Sequence, residues 1–388
     1  MKRTIDILGL LLVALFTTAC SGGGDDGENT PVTPDQQPVL TFYVYAPERP
    51  MMTRANEVNA TDEENAIHNM QIWVFETGTN TLVGYLAPTS FPTTAEGQVY
   101  QMNVSKEFAN AATKPKVDVY VVANGRSTTT LNASTTREQL EAAVMGETDF
   151  GVSTPQKDVP SGGLPMTGVL RNKGIGGENP VLRVEDGGNM AKVRLLRMVS
   201  KVRYVFCKGV SDVLPINGIT IGANLIPTTE YLFLTDKNYR IVEDAYHASE
   251  TNLITAKIPD VLECGNPMKY NINTITPSPT AQVYEDLIDL GVKGDTEHNI
   301  AADLTMAGPF YFKESDKKLS GKIFYTPPGG TATNIGYSMK ADDANSSFTR
   351  NHSWIVYAYY EGLSGMQVIV VDVTPWEEKD ENHSVYNW

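Results

Sequence analysis

The stretch Val39–Arg54, VLTFYVYAPERPMMTR, decides how the rest of this chain is read. Leu40, Phe42 and Val44 alternate with Thr41, Tyr43 and Tyr45, the period of two expected of a strand with one buried face. Pro47 and Pro50 break the pattern, and the basic residue Arg54 follows the break. Upstream stand a signal-like segment ending in a cysteine and an acidic, glycine-rich connector. Downstream lies everything with the texture of a folded body. Taken alone, the stretch is open to two readings. It is an ordinary first strand followed by an ordinary loop, or a detachable strand set between an anchor and a protease site.

The N-terminus bears on that choice. Lys2 and Arg3 precede the apolar run Ile7–Phe16 (ILGLLLVALF), which is too short to span a bilayer comfortably and reads as a secretory signal over residues 1–19. Thr17-Thr18-Ala19-Cys20 resembles a bacterial lipobox, with Thr17 where leucine is usual and Asp6 close to the apolar run. On this reading Cys20 is the lipidated first residue, and each acyl methylene in the membrane contributes about 0.8 kcal/mol. Residues 20–37 follow as a flexible tether, since Ser21–Gln37 (SGGGDDGENTPVTPDQQ) holds almost nothing apolar.

With 388 residues the chain is long enough for about two domains, and 41% hydrophobic content supports buried cores. A net charge of −15 argues against nucleic-acid binding, which needs clustered lysine and arginine to neutralise phosphates. Cys207 and Cys264 remain in the body; an exported protein can pair them, but they read here as two unpaired, buried apolar residues.

Short runs of β-branched and aromatic residues separated by turn residues fill the rest. Met70–Phe75, Leu82–Leu86, Val99–Val104 and Val117–Val122 (VDVYVV) alternate as sandwich strands do. One short helix interrupts them, opened by a capping-box spacing at Thr135–Glu138 with Leu140, Ala143 and Val144 as its apolar face. Leu164–Gly168 (LPMTG) ends a loop and Asn172–Asn179 (NKGIGGEN) reads as a soft connection. Ala191–Phe206 is then one long strand, with Lys192, Arg194, Arg197, Lys201 and Arg203 laid over its exposed face. A domain boundary is placed near Gly187–Asn189. In the second half, Ile219–Ile221, Tyr231–Leu234, Tyr311–Phe312, Lys322–Tyr325, Ser353–Tyr360 and Gln367–Val373 are strands, and Val283–Leu290 is a short helix or a loop. Gln367–Val373 (QVIVVDV) is apolar on both faces and expects cover on both sides.

No catalytic or metal constellation emerges. His68, His247, His298, His352 and His383 are scattered without ligand spacing. Gly362–Gly365 misses the nucleophile-elbow pattern, Gly174–Gly177 is no phosphate loop, and Asp342-Asp343 lacks calcium-loop spacing. Trp354, Tyr359 and Tyr360 invite a sugar-binding reading, but core packing explains them more simply. The chain therefore reads as a non-enzyme without cofactor or metal.

In chain order, the signal ending at Cys20, the strand Leu40–Ala46 before Arg54, Val117–Gly125, Leu164–Gly168, Leu196–Val205 and Val368–Trp376 (VIVVDVTPW) resemble the fimbrillin family of Bacteroidales-type fimbriae. The resemblance implies an all-β fold of two tandem transthyretin-like β-sandwich domains, with the short helix in the first, at 55–188 and 189–388. It implies an outer-membrane lipoprotein precursor that becomes the structural subunit of a cell-surface fimbrium and supports adhesion to host or bacterial surface receptors. An Arg-specific protease removes the first strand, residues 38–54, and the next subunit fills the groove with its C-terminal segment, about 353–388. Of the two cut sites, Arg49 precedes Pro50 and is poorly cleaved, which leaves Arg54–Ala55. The donor residues are Gln367, Val368, Ile369, Val370, Val371, Val373 and Trp376. Partners are then other subunits in a head-to-tail polymer and membrane lipid through Cys20. A fimbrial tip or anchor subunit, or a surface glycan-binding lipoprotein, is the alternative.

Overall fold

Strands form wherever the period of two is bounded by turn residues, and the resulting architecture is all-β. A computed structural model describes residues 37–46, 61–92, 97–146, 150, 158–177, 180–222, 225–234, 246–247, 249–254, 257–258, 261, 263, 305–338, 350–360 and 362–373. From the N-terminus come β1 (Val39–Tyr45), α1 (Asp62–Asn65), β2 (Met70–Glu76), β3 (Leu82–Leu86), β4 (Gln98–Asn103), α2 (Lys106–Asn110) and β5 (Val117–Ala123). They continue with α3 (Arg137–Glu141), β6 (Val144–Met145), β7 (Met166–Gly176), β8 (Val181–Asp186), β9 (Asn189–Met190), β10 (Lys192–Arg194) and β11 (Leu196–Arg197). All of these strands except β6 join one ten-stranded sheet, with the path β10-β1-β8-β7-β5-β2-β3 and with β4 on β1, β9 on β8 and β11 on β7.

The sheet folds over itself because β7 changes partners along its length. Residues near its start pair with β5, and Gly174–Gly176 pair with β8. Asn172 sits at the bend with φ 55°, a conformation asparagine tolerates better than most residues, and its N–H donates to Asp118 Oδ1 at 2.7 Å. The segment expected to be a soft connection is thus mostly strand. Inside the fold, Leu40, Phe42 and Val44 meet Met70, Ile72, Val74, Val117, Val119 and Val121 in one buried cluster. The opposite face of β2 and β5 is also buried: Trp73, Phe75 and Tyr120 pack with Leu140 of α3 and with Phe233. The helix begins one residue later than the spacing suggests, since Thr136 and Gln139 make the capping box.

The chain continues through β12 (Val199–Lys208), β13 (Ile216–Ile221), β14 (Glu230–Tyr231), β15 (Thr251–Ile254), β16 (Thr305–Lys313), β17 (Ser320–Tyr325), β18 (Thr333–Ser338), β19 (Ser353–Tyr360) and β20 (Met366–Val373). These give two four-stranded sheets, β16-β12-β19-β20 and β15-β13-β17-β18, while β14 pairs with β6. Val202, Tyr204 and Phe206 of the first sheet pack against Ile219, Ile221 and Ile323 of the second, as the two inner faces of a sandwich do. In that core the Tyr204 and Tyr337 hydroxyls hydrogen-bond at 2.6 Å, and Tyr337 donates to the Thr220 carbonyl at 2.8 Å.

Three expectations are corrected. The run Ala191–Phe206 is not one strand: β10 pairs with β1, β11 with β7, and β12 with β16 and β19. Breaks at Leu195 and Met198 let the chain pass from one sheet to the next. Two of its five cations, Arg197 and Lys201, are buried rather than laid over a surface. Cys207, read as unpaired, is disulfide-bonded. Its partner lies outside the described residues, as do Cys264 and the segment Val283–Leu290.

Beside β14 lies a buried charge cluster. Arg350 Nε donates to Glu314 Oε1 at 2.7 Å, its Nη1 to the Leu232 carbonyl at 3.0 Å, and its Nη2 stands 3.0 Å from Glu230 Oε1. Burial pushes the Glu230 carboxyl well above the carboxylate range, against the pull of Arg350 and with a further push from Glu314. An acid raised in the folded state stabilises the fold below its unfolded pKa of about 4.3. That contribution is lost as pH climbs through the folded value. Glu230→Gln therefore flattens the fall in melting temperature as pH climbs above the unfolded carboxylate value of about 4.3. Identical slopes for the two proteins overturn this assignment.

Candidate functional site

The site is built from β1 and the strands that enclose it. On one edge β1 runs antiparallel to β4, from Val39 opposite Asn103 to Val44 opposite Gln98. On the other edge it runs parallel to β8 through Val39–Thr41 and then parallel to β10 through Tyr43–Tyr45. The strand is therefore interior, with both sets of backbone groups engaged. Further bonds hold its ends, from Val39 N to the Pro180 carbonyl at 2.7 Å and from Leu195 N to the Tyr45 carbonyl at 3.1 Å.

Alternation gives β1 its inward set. Leu40, Phe42 and Val44 are each 0% exposed, and Ala46 follows them into the core. Burying each of the three larger side chains is worth about 1.5–3 kcal/mol. The Phe42 and Tyr100 rings stack at 6.5 Å, and Thr41 Oγ1 donates to the Leu182 carbonyl at 3.0 Å. Gly97 closes the far end with φ +68°; a Cβ there would stand 2.6 Å from Tyr45 Cβ, so only glycine lets the β4 side approach so closely. Leu40, Phe42 and Val44 thus cover the core at a spacing of two, and β1 occupies a slot along backbone edges of β4, β8 and β10.

After β1, the helix α1 begins behind Thr61 and is pinned to the second half of the chain. Thr61 caps the helix and Glu64 completes the box, its Oε2 accepting from Thr61 N at 2.8 Å. The same carboxylate, 1% exposed, accepts from Lys201 Nζ at 3.1 Å and from the Tyr311 hydroxyl at 2.6 Å. Arg197 Nε donates to the Glu64 carbonyl at 3.2 Å, and its Nη1 and Nη2 reach Asn351 and Asn65. Burial draws the Lys201 ammonium below its ordinary value, and the Glu64 carboxylate opposes the shift. Burial and the adjacent Glu64 push the Tyr311 phenol up. This cluster escaped the sequence reading because Lys201 lies 137 residues from Glu64. The Thr61-x-x-Glu64 spacing was its one local signal.

At the other end of the chain, β20 pairs antiparallel with β19 from Tyr360 opposite Met366 to Ser353 opposite Val373. It occupies the outer position of its sheet. Val368 and Val370 are partly buried and pack on the core, Met366 is buried, and Gln367 is half-buried. The side chains of Ile369, Val371 and Val373 lie outside the described residues, as do Cys20, Arg49, Arg54, Ala55 and Trp376. Of the sequence-derived sites, β1 and β20 are thus placed, in different sheets. Trp354, Tyr359 and Tyr360 are buried, so they offer no surface to a sugar. Among the described residues, no group of three His, Cys, Asp or Glu side chains is arranged to hold a metal ion.

A family model described as the major fimbrial subunit protein (FimA) matches residues 39–193, from the first residue of β1 to β10. It bears out the fimbrillin resemblance across the segment that forms the slot. No curated protein matches the chain. Solved structures similar to it include the tip fimbrial protein Mfa3 from Porphyromonas gingivalis with a C-terminal truncation, at 14% identity and a TM-score of 0.47 over 87% of this chain and 100% of that one. A putative cell adhesion protein from Parabacteroides distasonis is 12% identical with a TM-score of 0.48, covering 89% of this chain and 98% of the other. One from Bacteroides eggerthii is 14% identical with a TM-score of 0.46, covering 87% and 96%.

Proposed function

We propose, from a chain whose residues 39–193 carry the fimbrial-subunit signature, that this protein is a structural subunit of a cell-surface fimbrium assembled by strand exchange. The precursor is held at the outer membrane by lipid on Cys20. An Arg-specific protease cuts between Arg54 and Ala55, β1 leaves, and the C-terminal segment of another copy fills the slot. The body that remains is two tandem sandwiches that meet between β11 and β12, later than the boundary expected near Gly187–Asn189, because β9, β10 and β11 join the first sheet.

The observation that carries this reading is the interior position of β1, paired along both edges, with Arg54 following it in the sequence. A cut after such a strand frees it from the chain that follows while its neighbours stay in place. Its loss exposes apolar pockets and unpaired edges together, the two features that drive strand addition. The donor's chemistry fits the slot: Ile369, Val371 and Val373 recur at the same spacing of two as Leu40, Phe42 and Val44. As an edge strand, β20 also breaks one ladder rather than two on leaving its sheet.

The test is treatment of the lipid-free precursor with an Arg-specific protease, followed by gel analysis without boiling. A ladder of oligomers is expected from the native chain and none from Arg54→Ala. Deletion of residues 366–388 is expected to stop chain growth while the slot-bearing body still folds and accepts a donor from an intact copy. A ladder from Arg54→Ala overturns the cut site, and a ladder from the deleted chain overturns the donor.

A further inference from the structure

We infer that the outer face of the β15-β13-β17-β18 sheet is a binding site for a neutral glycan. A groove of about 700 Å³ lies there, lined by Asn217, Gly218, Asn252, Phe324, Thr333 and Asn334 among others. It is open to solvent, so a ligand would lie across the strands with one side exposed. Three different strands, β13, β15 and β18, each bring an asparagine to it, and the fourth, β17, brings the aromatic ring.

The fold does not call for these residues. Ile323 and Tyr325 point into the core, so Phe324 between them belongs to the opposite, solvent side of β17. Its cross-strand partners are Gly218 on one side and Asn334 on the other. Gly218 has no side chain to cover the ring: a Cβ built there would already stand 3.7 Å from Phe324 Cδ2. Asparagine is disfavoured in strands, where threonine and other β-branched or aromatic residues are enriched. Asn252 and Asn334 are nonetheless both exposed strand residues.

The chemistry of the lining selects the ligand. A carboxamide offers two donors and an acceptor, which matches neighbouring hydroxyls that each donate and accept. Asn217 Nδ2 donates to Thr326 Oγ1 at 2.7 Å, which fixes that amide and leaves its carbonyl as an acceptor. The flat apolar face of Phe324 suits the C–H face of a pyranose ring. Among the described residues, no ionised side chain lines the groove. Lys322 of β17 pairs with Glu250, the residue before β15, at 2.8 Å. A net charge of −15 further disfavours anionic ligands.

The experiment uses the full chain and a panel of neutral oligosaccharides of glucose, mannose, galactose or N-acetylglucosamine, with a sialylated oligosaccharide and inorganic phosphate as anionic probes. Binding is followed by titration calorimetry and by ligand-observed NMR. At least one neutral oligosaccharide is expected to bind, and Asn252→Ala and Asn334→Ala are each expected to weaken it about tenfold, the loss of one well-formed hydrogen bond. Both residues are exposed, so these variants keep the native melting temperature. Phe324→Ala is expected to abolish binding, with its melting temperature measured alongside because the ring is half-buried. The inference is overturned if no neutral oligosaccharide binds, if the Asn252→Ala/Asn334→Ala double variant binds as well as the native chain, or if only the anionic probes bind.

Discussion

Phe42→Ala lowers the stability of the uncleaved chain by about 3–5 kcal/mol and leaves the cleaved, assembled subunit unchanged. The loss follows from the position of the ring, fully buried at the centre of β1 and stacked on Tyr100, where truncation leaves a cavity that the paired backbones on either side cannot close. The absence of loss after assembly follows from the proposal that residue 42 leaves with the strand. Urea unfolding of the precursor and dissociation of the protease-grown polymer measure the two arms. Equal losses in both would show that β1 is never exchanged. Because the truncated plug is weaker, oligomers of this variant should also grow sooner after the cut.

Glu64→Ala is the second large effect, and it has the opposite signature. Removing the carboxylate strands Lys201 as a buried, uncompensated cation and strips the Tyr311 hydroxyl of its acceptor. Breaking one side of a buried pair costs about 3–5 kcal/mol. The loss should be the same before and after proteolysis, since α1 lies beyond the proposed cut and is tied to β12 and β16. Replacing Lys201 with methionine in the same chain should recover most of it, because a buried pair exchanged for apolar groups is close to neutral. A loss confined to the precursor would instead make α1 part of the detachable segment. Together the two variants mark where the removable piece ends and the permanent body begins.

Much of the fold was legible. β5, β19 and β20 combine β-branched residues with clear turn signals, and α3 announces itself by its cap, displaced by one residue. Local patterns of this kind survive into the structure because each strand's inward set is decided by alternation alone. What alternation cannot carry is partnership. Nothing in VLTFYVY says that its neighbours will be β4, β8 and β10, which lie far along the chain and set β1 in the interior. The same limit hid the burial of Arg197 and Lys201: on a strand pattern a cation reads as exposed until its distant acceptor is known. Asn172 reads as part of a connector because asparagine and glycine signal turns equally well when they only bend a strand. The disulfide of Cys207 likewise depends on proximity and not on spacing. The outward asparagines of β13, β15 and β18 are individually unremarkable, and only the sheet order brings them into one groove.

The two edges of β1 differ in kind: antiparallel to β4, parallel to β8 and β10. Antiparallel and parallel ladders place their hydrogen bonds in different patterns, so a strand laid into the slot backwards would mismatch both edges at once. The slot thus reads direction as well as shape. A fibre whose joints are all made this way carries an arrow along its whole length. Fragments of it can rejoin only end to opposite end, never in reverse, and its two extremities are chemically distinct. One presents an empty slot and the other an unused donor. Growth and termination are then matters of which extremity a newcomer meets, and a copy lacking either feature would cap the fibre at a single, predictable end.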